Sequence, residues 1–272
     1  MATEARNPRS YGLDRMTAQQ IVRLMDEEDR KVIQALERVE ADIAEAAQRA
    51  AQTFSLGGRI VYVGAGTSGR IATMDAAEMP PTFGIDPDRF IALIAGGDEA
   101  GSKAIEDAED DAVSAVEAIN KLHLTRDDVV IGLAASGTTP FVVGAIRHAS
   151  QKGIWTCGIA NNNRTPLLEE ASLGIFLDTG PEVLTGSTRL KAGTAQKMVL
   201  NRISTIAMVL SGKVVENLMV DVKAKNAKLK DRCCRIVTEL TNVTKDEARD
   251  LLETNDWSIR KVLGKLRTPV AP

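Results

Sequence analysis

The sequence predicts an α/β fold in which helices cover both faces of a parallel sheet. Short apolar runs alternate with segments of helical periodicity through the middle of the chain, a pattern typical of such sheets. Apolar residues make up 44% of the 272 residues but aromatic residues only 3%. The core is therefore built from small aliphatic side chains, which let helices pack closely on a buried parallel sheet.

Three regions are expected from this pattern. Residues 1–54 form an N-terminal helical arm, residues 55–212 the α/β domain, and residues 213–272 a C-terminal helical region. Residues 1–13 are polar and are expected to be poorly ordered. From Thr17 to about residue 54, apolar residues recur every three or four positions, and Thr17 with Gln20 has the pattern of a capping box. The arm is interpreted either as a solvated helical hairpin or as a dimerisation arm.

Apolar runs within the central region predict the strands of the sheet. The predicted strands are residues 59–63, 90–95, 128–134, 154–159 and 173–177. Long helical patterns follow at 187–210 and 213–230, and a small helical bundle is predicted for 231–268.

Composition and charge exclude several classes of function. The net charge of −3 offers no broad basic surface for nucleic acid. Cys157, Cys233 and Cys234 form neither a zinc motif nor a disulfide framework, and His123 and His148 stand in unrelated places. Neither a signal segment nor an apolar run long enough to span a membrane is visible. A cytoplasmic protein that needs no metal or cofactor is expected.

The first of three candidate binding loops covers residues 64–69 and follows the first predicted strand. Its glycines allow close approach of the backbone, and the helix expected next directs free N–H groups toward an anion. A dinucleotide site would need an acidic residue at the end of the next strand, but that strand ends in Gly96-Gly97. The hydroxyls of Thr67 and Ser68 favour a phosphate monoester. The alternative is an ordinary glycine turn.

The second and third loops carry further hydroxyl groups. Residues 134–140 follow the third strand and lead into a helix opened by Pro140, which suits a first helical turn. Residues 185–191 begin the long helix and place Lys191 in its first turn, where a cation opposes the helix dipole unless an anion is bound. The alternatives are an ordinary hydroxyl cap and a solvated basic turn. The candidate binding residues of these loops are Ser136, Gly137, Thr138, Thr139, Ser187, Thr188 and Lys191.

Glu78 is the first candidate proton donor. Pro80-Pro81 is expected to end the helix that follows the first loop, because a residue before proline avoids helical geometry. A carboxylate at that end faces the negative pole of the helix dipole, which disfavours its ionised form and suits a general acid. The alternative is an exposed glutamate at a fraying helix end.

Glu109 is the second candidate acid–base residue. A helix is expected after Gly97, and on its helical wheel Glu109 falls within the apolar stripe that includes Ile105 and Val116. A carboxylate turned inward among apolar side chains is costly unless it is paired or used in catalysis. Glu106 lies at the edge of the stripe and is the second choice. A glutamate bonded to a backbone cap is the alternative interpretation.

These motifs carry a resemblance to known proteins. The segments GAGTSGR (64–70) and ASGTTP (135–140) resemble the sugar isomerase domain, a phosphosugar-binding fold. Over nearly its whole length the chain resembles N-acetylmuramic acid 6-phosphate etherases. The matching segments are NPRSYGLDRMT (7–17), DAAEMPPTFGIDP (75–87), ALIAGG (92–97), EDAEDD (106–111), GPEVLTGSTRLKAGTAQK (180–197) and NLMVDVKAKNAKL (217–229).

The resemblance implies a cofactor-free lyase of the sugar isomerase type. It implies that the lactyl ether of the phosphorylated sugar is removed by elimination and water addition, with D-lactate as a product. Glu78 would donate a proton to the leaving group and Glu109 would assist proton transfer, while Glu182 joins the substrate-binding residues. The chain is expected to act as a homodimer in amino-sugar catabolism and peptidoglycan recycling. Thr138 departs from the family pattern, in which arginine is expected.

Two other functions share the fold. A non-catalytic phosphosugar sensor is the main alternative, because the glucokinase regulatory protein resembles the etherases, although it has two sugar isomerase domains. An aldose–ketose isomerase would have the same phosphate loops, but it would not explain the DAAEMPPTFG block. Retention of Glu78 and Glu109 favours the etherase.

Overall fold

A five-stranded parallel sheet forms the centre of the computed structural model, which describes residues 1–103 and 105–266. The strand order is β2-β1-β3-β4-β5, and every adjacent pair is parallel. The strands are β1 (Ile60–Gly64), β2 (Phe90–Ile94), β3 (Val129–Leu133), β4 (Trp155–Ala160) and β5 (Leu173–Phe176). The five predicted strands are thus confirmed, within one residue at each end.

The centre of the sheet brings two of the predicted loops together. β1 and β3 are neighbours in register, with Ile60 opposite Val129 and Gly64 opposite Leu133. The chain leaves β1 for β2 on one side and returns to β3 on the other. Ligands of open α/β sheets bind at the carboxyl ends of strands where the order reverses in this way. The loops after β1 and β3 border that crevice.

Helices cover both faces of the sheet, as predicted. One face carries α1 (Ala18–Glu37), α2 (Glu40–Ser55), α3 (Gly66–Phe83) and α7 (Lys191–Leu210), and the other carries α4 (Ala112–Lys121), α5 (Pro140–Gln151) and α6 (Pro166–Glu170). Thr17 and Gln20 form the predicted capping box at the start of α1. The interpretation of α1 and α2 as a solvated hairpin is wrong. Ala46, Ala47 and Ala50 are fully buried, and their small side chains allow α2 to pack closely on α7.

The C-terminal region differs from its prediction at its start. The helix expected over 213–230 is wrong, because β6 (Val214–Val215) and β7 (Leu218–Met219) form an antiparallel hairpin there. Apolar residues with strand preference flank the two-residue turn, and Glu216 takes the positive φ of 54° that this turn requires. The following helix starts only at Ala227, after its N-cap Asn226.

The predicted C-terminal bundle is present within the described residues. It consists of α8 (Ala227–Leu240), α9 (Lys245–Glu253) and α10 (Ile259–Lys265). These helices share a separate apolar core that includes Cys233, Leu252 and Leu263. Residues 267–268 of the predicted bundle lie outside the described residues.

The three cysteines are buried and unpaired. Burial raises the pKa of the Cys157 thiol and raises that of Cys233 to about 11. Buried thiols of this kind are unreactive near neutral pH, because the thiolate is the nucleophile. Over the described ranges, no helix is both long and apolar enough to cross a bilayer.

Candidate active site

A cavity of about 300 Å³ lies at the carboxyl ends of β1 and β3. The three predicted loops all contribute to it, together with two residues from the start of the chain. Its polar lining residues are Thr3, Glu4, Thr67, Ser68, Glu109, Ser136, Thr139 and Thr188. The structure therefore brings together six of the residues predicted from the sequence.

The first loop is itself the first turn of α3. The helix was expected after the loop, but it begins at Gly66 and has no side-chain cap. A Cβ atom on Gly64 would lie 2.6 Å from the backbone nitrogen of Gly69, so glycine is required where β1 meets α3. The N–H groups of a first helical turn have no partner within the helix. Those of Gly66, Thr67 and Ser68 border the cavity and favour an anion.

The Ser68 side chain is held from behind by two buried amides. Its Oγ donates to Oε1 of Gln196 (2.7 Å), and Nε2 of Gln196 donates to Oδ1 of Asn161 (3.1 Å). Asn161 in turn donates to the carbonyl of Leu177 (3.1 Å). The carbonyl of Leu177 can only accept, so Asn161 must donate to it and accept from Gln196. Gln196 must then accept from Ser68, and the hydroxyl hydrogen of Ser68 points toward Gln196. Sequence reasoning missed this role of Gln196, although a glutamine on the buried stripe of α7 was a signal for it.

The second loop presents two hydroxyls to the cavity. Oγ of Ser136 lies 3.3 Å from Oγ1 of Thr139 and accepts from the backbone N–H of Thr138 (3.2 Å). The Thr138 side chain is exposed and does not line the cavity. Gly137 has a φ of +73° and is packed against Thr165. The loop thus offers Ser136 and Thr139, while Gly137 shapes its backbone.

The third loop contributes Gly186 and Thr188, and its other predicted residues point elsewhere. Ser187 does not line the cavity. Lys191, predicted to contact an anion, is only 1% exposed. Its Nζ donates to Oε2 of Glu28 (2.5 Å) and to the carbonyl of Pro181 (2.8 Å). The prediction for Lys191 is wrong because its ammonium group forms an ion pair with a buried carboxylate of α1 that is far away in sequence.

The carboxylate of Glu182 occupies the N-terminus of α7. It accepts from the N–H groups of Lys191 (3.1 Å) and Ala192 (2.9 Å) and is fully buried. An anion at this helix start was predicted, but the protein supplies it itself. The assignment of Glu182 to substrate binding is therefore wrong. Burial raises the pKa of Glu182, although these two N–H groups oppose the shift.

Glu28 stays ionised within this cluster. Burial opposes its ionised form, but hydrogen bonds from Lys191 and Lys31 outweigh it and lower the pKa of Glu28 to about 2. Glu28 also accepts from Asn7 (2.8 Å) and Arg9 (3.2 Å). The cluster ties residues at the start of the chain, α1 and α7 together.

Glu109 lines the cavity but is exposed rather than buried. The expected helix is broken, because Asp111 caps α4 by accepting from the N–H groups of Val113 and Ser114. Glu109 lies before this cap in a 3₁₀ segment, Glu106–Asp110. Its placement on a buried apolar face was therefore wrong. Glu109 also borders a neighbouring cavity of about 370 Å³, so it stands between two cavities. The choice of Glu109 over Glu106 stays a prediction.

Glu78 lies apart from the cavity within one chain. α3 continues through Pro80 and Pro81 to Phe83, so the predicted helix end at Glu78 is wrong. Burial of Met79 and Phe83 in the core offsets the hydrogen bonds that the prolines cannot donate. Glu78 is exposed, and it follows Ser68 by ten residues, roughly 15 Å along the helix axis.

Asp75 fixes the orientation of α3. Its buried carboxylate accepts from Tyr62 (2.9 Å), Asn201 (2.7 Å) and Ser204 (3.1 Å), which lie on β1 and α7. Burial raises the pKa of Asp75, although these hydrogen bonds oppose the shift. Asp75 thus ties α3 to β1 and α7. Sequence reasoning missed Asp75, whose position in the DAAEMPPTFG block was the available signal.

The site has no evident metal centre. Among residues 1–103 and 105–266, no group of histidine, cysteine, aspartate and glutamate side chains could hold a metal ion. The chemistry of the cavity is that of hydroxyls, backbone N–H groups and carboxylates.

Comparison with known proteins places this chain in a family. Residues 41–150 match the glucokinase regulatory protein N-terminal SIS domain, and residues 111–204 match the SIS domain. The N-acetylmuramic acid 6-phosphate etherase of Serratia proteamaculans (strain 568) is 50% identical over 263 residues, which cover 97% of this chain and 89% of that protein. The chain belongs to the N-acetylmuramic acid 6-phosphate etherase family. The etherase of Salmonella agona (strain SL483) is 47% identical with the same coverage.

Solved structures share the fold of this etherase-family chain. A phosphoheptose isomerase from Francisella tularensis aligns with a TM-score of 0.55 at 16% identity, over 71% of this chain and 98% of that one. A phosphoheptose isomerase from Neisseria gonorrhoeae aligns with a TM-score of 0.52 at 18% identity, over 71% of this chain and 97% of that one. The predicted sugar isomerase-type fold is confirmed.

The etherase-family loop at Gly137 makes a testable prediction. In Gly137→Ala, the new Cβ would lie 2.3 Å from Oγ1 of Thr165. Overpacking of this kind typically costs about 1–3 kcal/mol, in addition to the strain of a positive φ. Gly57→Ala is the matched control, because Gly57 also has a positive φ but has open space around it. Urea denaturation should show Gly137→Ala losing at least about 1 kcal/mol more than the control. Equal losses would contradict the packing argument.

Proposed function

We propose that the chain cleaves the lactyl ether of N-acetylmuramic acid 6-phosphate and yields N-acetylglucosamine 6-phosphate and D-lactate. It is accordingly an etherase, a carbon–oxygen lyase, and it serves the recycling of peptidoglycan amino sugars. The observation that carries this proposal is its identity of about 50% with etherases over 97% of the chain.

Elimination explains how an ether can be cleaved without a metal. When the sugar ring opens, the aldehyde at C1 makes the proton on C2 acidic. A base removes this proton, the C3–O bond breaks, and an acid protonates the departing lactate oxygen. Water then adds its oxygen to C3 and a proton returns to C2. The sum is one ether and one water converted into N-acetylglucosamine 6-phosphate and D-lactate.

The phosphate positions the sugar for these steps. It binds the N–H groups at Thr67 and Ser68 that begin α3, and the hydroxyls of Ser136, Thr139 and Thr188. This arrangement is supported by the six predicted residues that line one cavity at the start of α3. Glu109, on the same cavity, transfers the C2 proton.

Glu78 acts as the acid from a second copy of the chain. A homodimer supplies it, because within one chain Glu78 is exposed and about 15 Å along α3 from Ser68. Met74, four residues before Glu78, is 46% exposed on the same side of α3. Large exposed apolar side chains on α1 and α7, such as Ile33 and Leu210, support a subunit interface on this sheet face.

The other parts of the proposal concern location and organisation. The enzyme works in the cytoplasm, where its buried thiols stay reduced, and it needs neither nucleic acid nor a membrane as partner. Residues 1–54 form a helical region before the phosphosugar-binding domain, residues 55–212, and the region from residue 213 onward begins with the β6–β7 hairpin and continues with α8 to α10.

A non-catalytic phosphosugar sensor is the alternative. The match to the glucokinase regulatory protein covers residues 41–150 only, whereas the etherases match 97% of the chain. The etherase is therefore favoured.

The test is an assay of D-lactate. Purified protein incubated with N-acetylmuramic acid 6-phosphate should release one D-lactate per sugar consumed, without added metal or cofactor. An isomerase or a sensor would release none. Stable binding of the substrate without any lactate would support the sensor and contradict the etherase.

A further inference from the structure

The first ten residues, called here the N-terminal segment, contribute two residues to the lining of the cavity. They were expected to be poorly ordered, but Thr3 and Asn7 are buried and Thr3 and Glu4 line the cavity. We infer that Glu4 is a specificity-determining residue that accepts a hydrogen bond from the sugar part of the substrate, and that Thr3 is its positioning residue. This inference rests on the proposed function in taking the ligand to be a sugar phosphate.

Thr3 is fixed by a pair of hydrogen bonds to Asn162. Its backbone N–H donates to Oδ1 of Asn162 (3.3 Å), and Nδ2 of Asn162 donates to its Oγ1 (2.8 Å). The same Nδ2 lies 3.1 Å from the carbonyl of Ala135 and 3.3 Å from that of Ser136. One buried amide therefore joins the N-terminal segment to the loop that is proposed to bind phosphate.

Asn7 is the second fixed point of the segment. It is 2% exposed, and its Nδ2 donates to Oε2 of Glu28 (2.8 Å) and to the carbonyl of Pro181 (3.2 Å). Only three residues separate it from Thr3. The backbone of Glu4 thus lies between two buried anchors and cannot move away from the cavity without breaking buried hydrogen bonds, which are costly to lose.

The Glu4 carboxylate lies beside the third loop, next to Gly186. Its Oε2 lies 3.4 Å from the position that a Cβ atom on Gly186 would take. Within the described ranges, no side chain or backbone group donates a hydrogen bond to this carboxylate, and no cation pairs with it. The Glu4 side chain is exposed, so water supplies its donors in the free protein, and the hydroxyl or amide groups of a bound sugar can replace that water.

Charge decides which part of the ligand Glu4 meets. The N–H groups of α3 and the hydroxyls of Ser136 and Thr139 favour an anion, whereas a carboxylate repels one. A phosphate therefore lies against the loops and away from Glu4. The neutral part of a sugar phosphate carries hydroxyl and amide donors, which suit the carboxylate. Glu4 thus selects for a sugar attached to the phosphate over phosphate alone.

Opposite effects on two ligands are expected from Glu4→Gln. Loss of a charge-assisted hydrogen bond should weaken binding of N-acetylglucosamine 6-phosphate by about tenfold or more. Binding of inorganic phosphate should stay the same or become tighter, because a repelling charge has been removed. Glu239→Gln is the matched control, since Glu239 is exposed in the C-terminal region and far from the cavity in sequence.

Two Thr3 variants test the positioning role. Thr3→Val keeps the shape of the side chain but removes the hydroxyl that Asn162 binds. It should weaken binding of the sugar phosphate more than binding of inorganic phosphate. Thr3→Ser keeps the hydroxyl and should restore selectivity. If Thr3 had only a structural role, Thr3→Val would weaken binding of both ligands equally, because Asn162 also supports the phosphate loop.

Isothermal titration of the full chain with each ligand separately measures these effects. The inference is overturned if Glu4→Gln leaves the affinity for the sugar phosphate unchanged, if it weakens both ligands equally, or if the unaltered chain binds neither. Failure of the proposed function is distinguishable. A chain that binds the sugar phosphate with this selectivity but releases no D-lactate contradicts the etherase and supports the role of Glu4.

Discussion

Replacing Glu78 with glutamine should lower the rate of D-lactate release by about 10²–10⁴-fold, the usual effect of losing a general acid or base. The variant should fold normally, because exposed substitutions usually change the free energy of unfolding by less than about 0.5 kcal/mol. Glu169→Gln, an exposed glutamate on α6, is the control and should keep full activity. Full activity of Glu78→Gln would contradict its role as the acid.

Mixing two inactive variants tests whether two chains share the site. Glu78→Gln and Glu109→Gln are unfolded together and refolded, so that mixed dimers form. If each site takes one glutamate from each subunit, a mixed dimer holds one intact site, and random pairing restores about a quarter of the activity. If the mixture stays inactive, the two glutamates act within one chain or in no shared site.

The largest effect on stability is expected from Lys191→Met. The variant leaves Glu28 buried without its closest cation, and breaking a buried ion pair in this way costs about 3–5 kcal/mol. Arg9, Lys31 and Asn7 remain near Glu28, so the lower part of this range is expected. The double variant Glu28→Gln with Lys191→Met should regain part of the loss, since neither charge is then left alone. Urea denaturation measures both variants against the unaltered chain.

Arg147→Met is the matched control for this experiment. Arg147 pairs with Glu170 at 2.6 Å, but its side chain is 56% exposed, and surface pairs contribute at most about 1 kcal/mol. A variant Lys191→Met that is as stable as the control, yet no longer binds phosphate, would contradict the structural role. It would restore Lys191 as an anion contact.

The sheet and the cavity could be predicted because their signals are local. β1 and β3 are short apolar runs that a parallel sheet buries on both faces, and glycine and hydroxyl residues follow each of them within a few positions. The carboxyl ends of parallel strands lie at one edge, so the loops that carry Ser68 and Ser136 could be expected at the same edge, and the pairing of β1 with β3 makes them neighbours.

The errors come from contacts between residues far apart in the chain. The sequence around Lys191 indicates a basic first turn open to an anion, and only the structure shows that Lys191 is buried against Glu28, 163 positions away. The order of the N-terminal segment likewise depends on Asn162, which lies 159 positions from Thr3. Glu109 was misplaced for a local reason, because Asp111 starts a new helix within what reads as one continuous apolar stripe.

The central claim is that the lactyl ether is removed by elimination followed by addition of water. The most direct test is to let the enzyme act on N-acetylmuramic acid 6-phosphate in D₂O and, separately, in H₂¹⁸O. We predict deuterium at C2 and ¹⁸O at C3 of the N-acetylglucosamine 6-phosphate, with the original ether oxygen retained in D-lactate. Absence of deuterium at C2, or ¹⁸O in the lactate hydroxyl, would contradict the elimination.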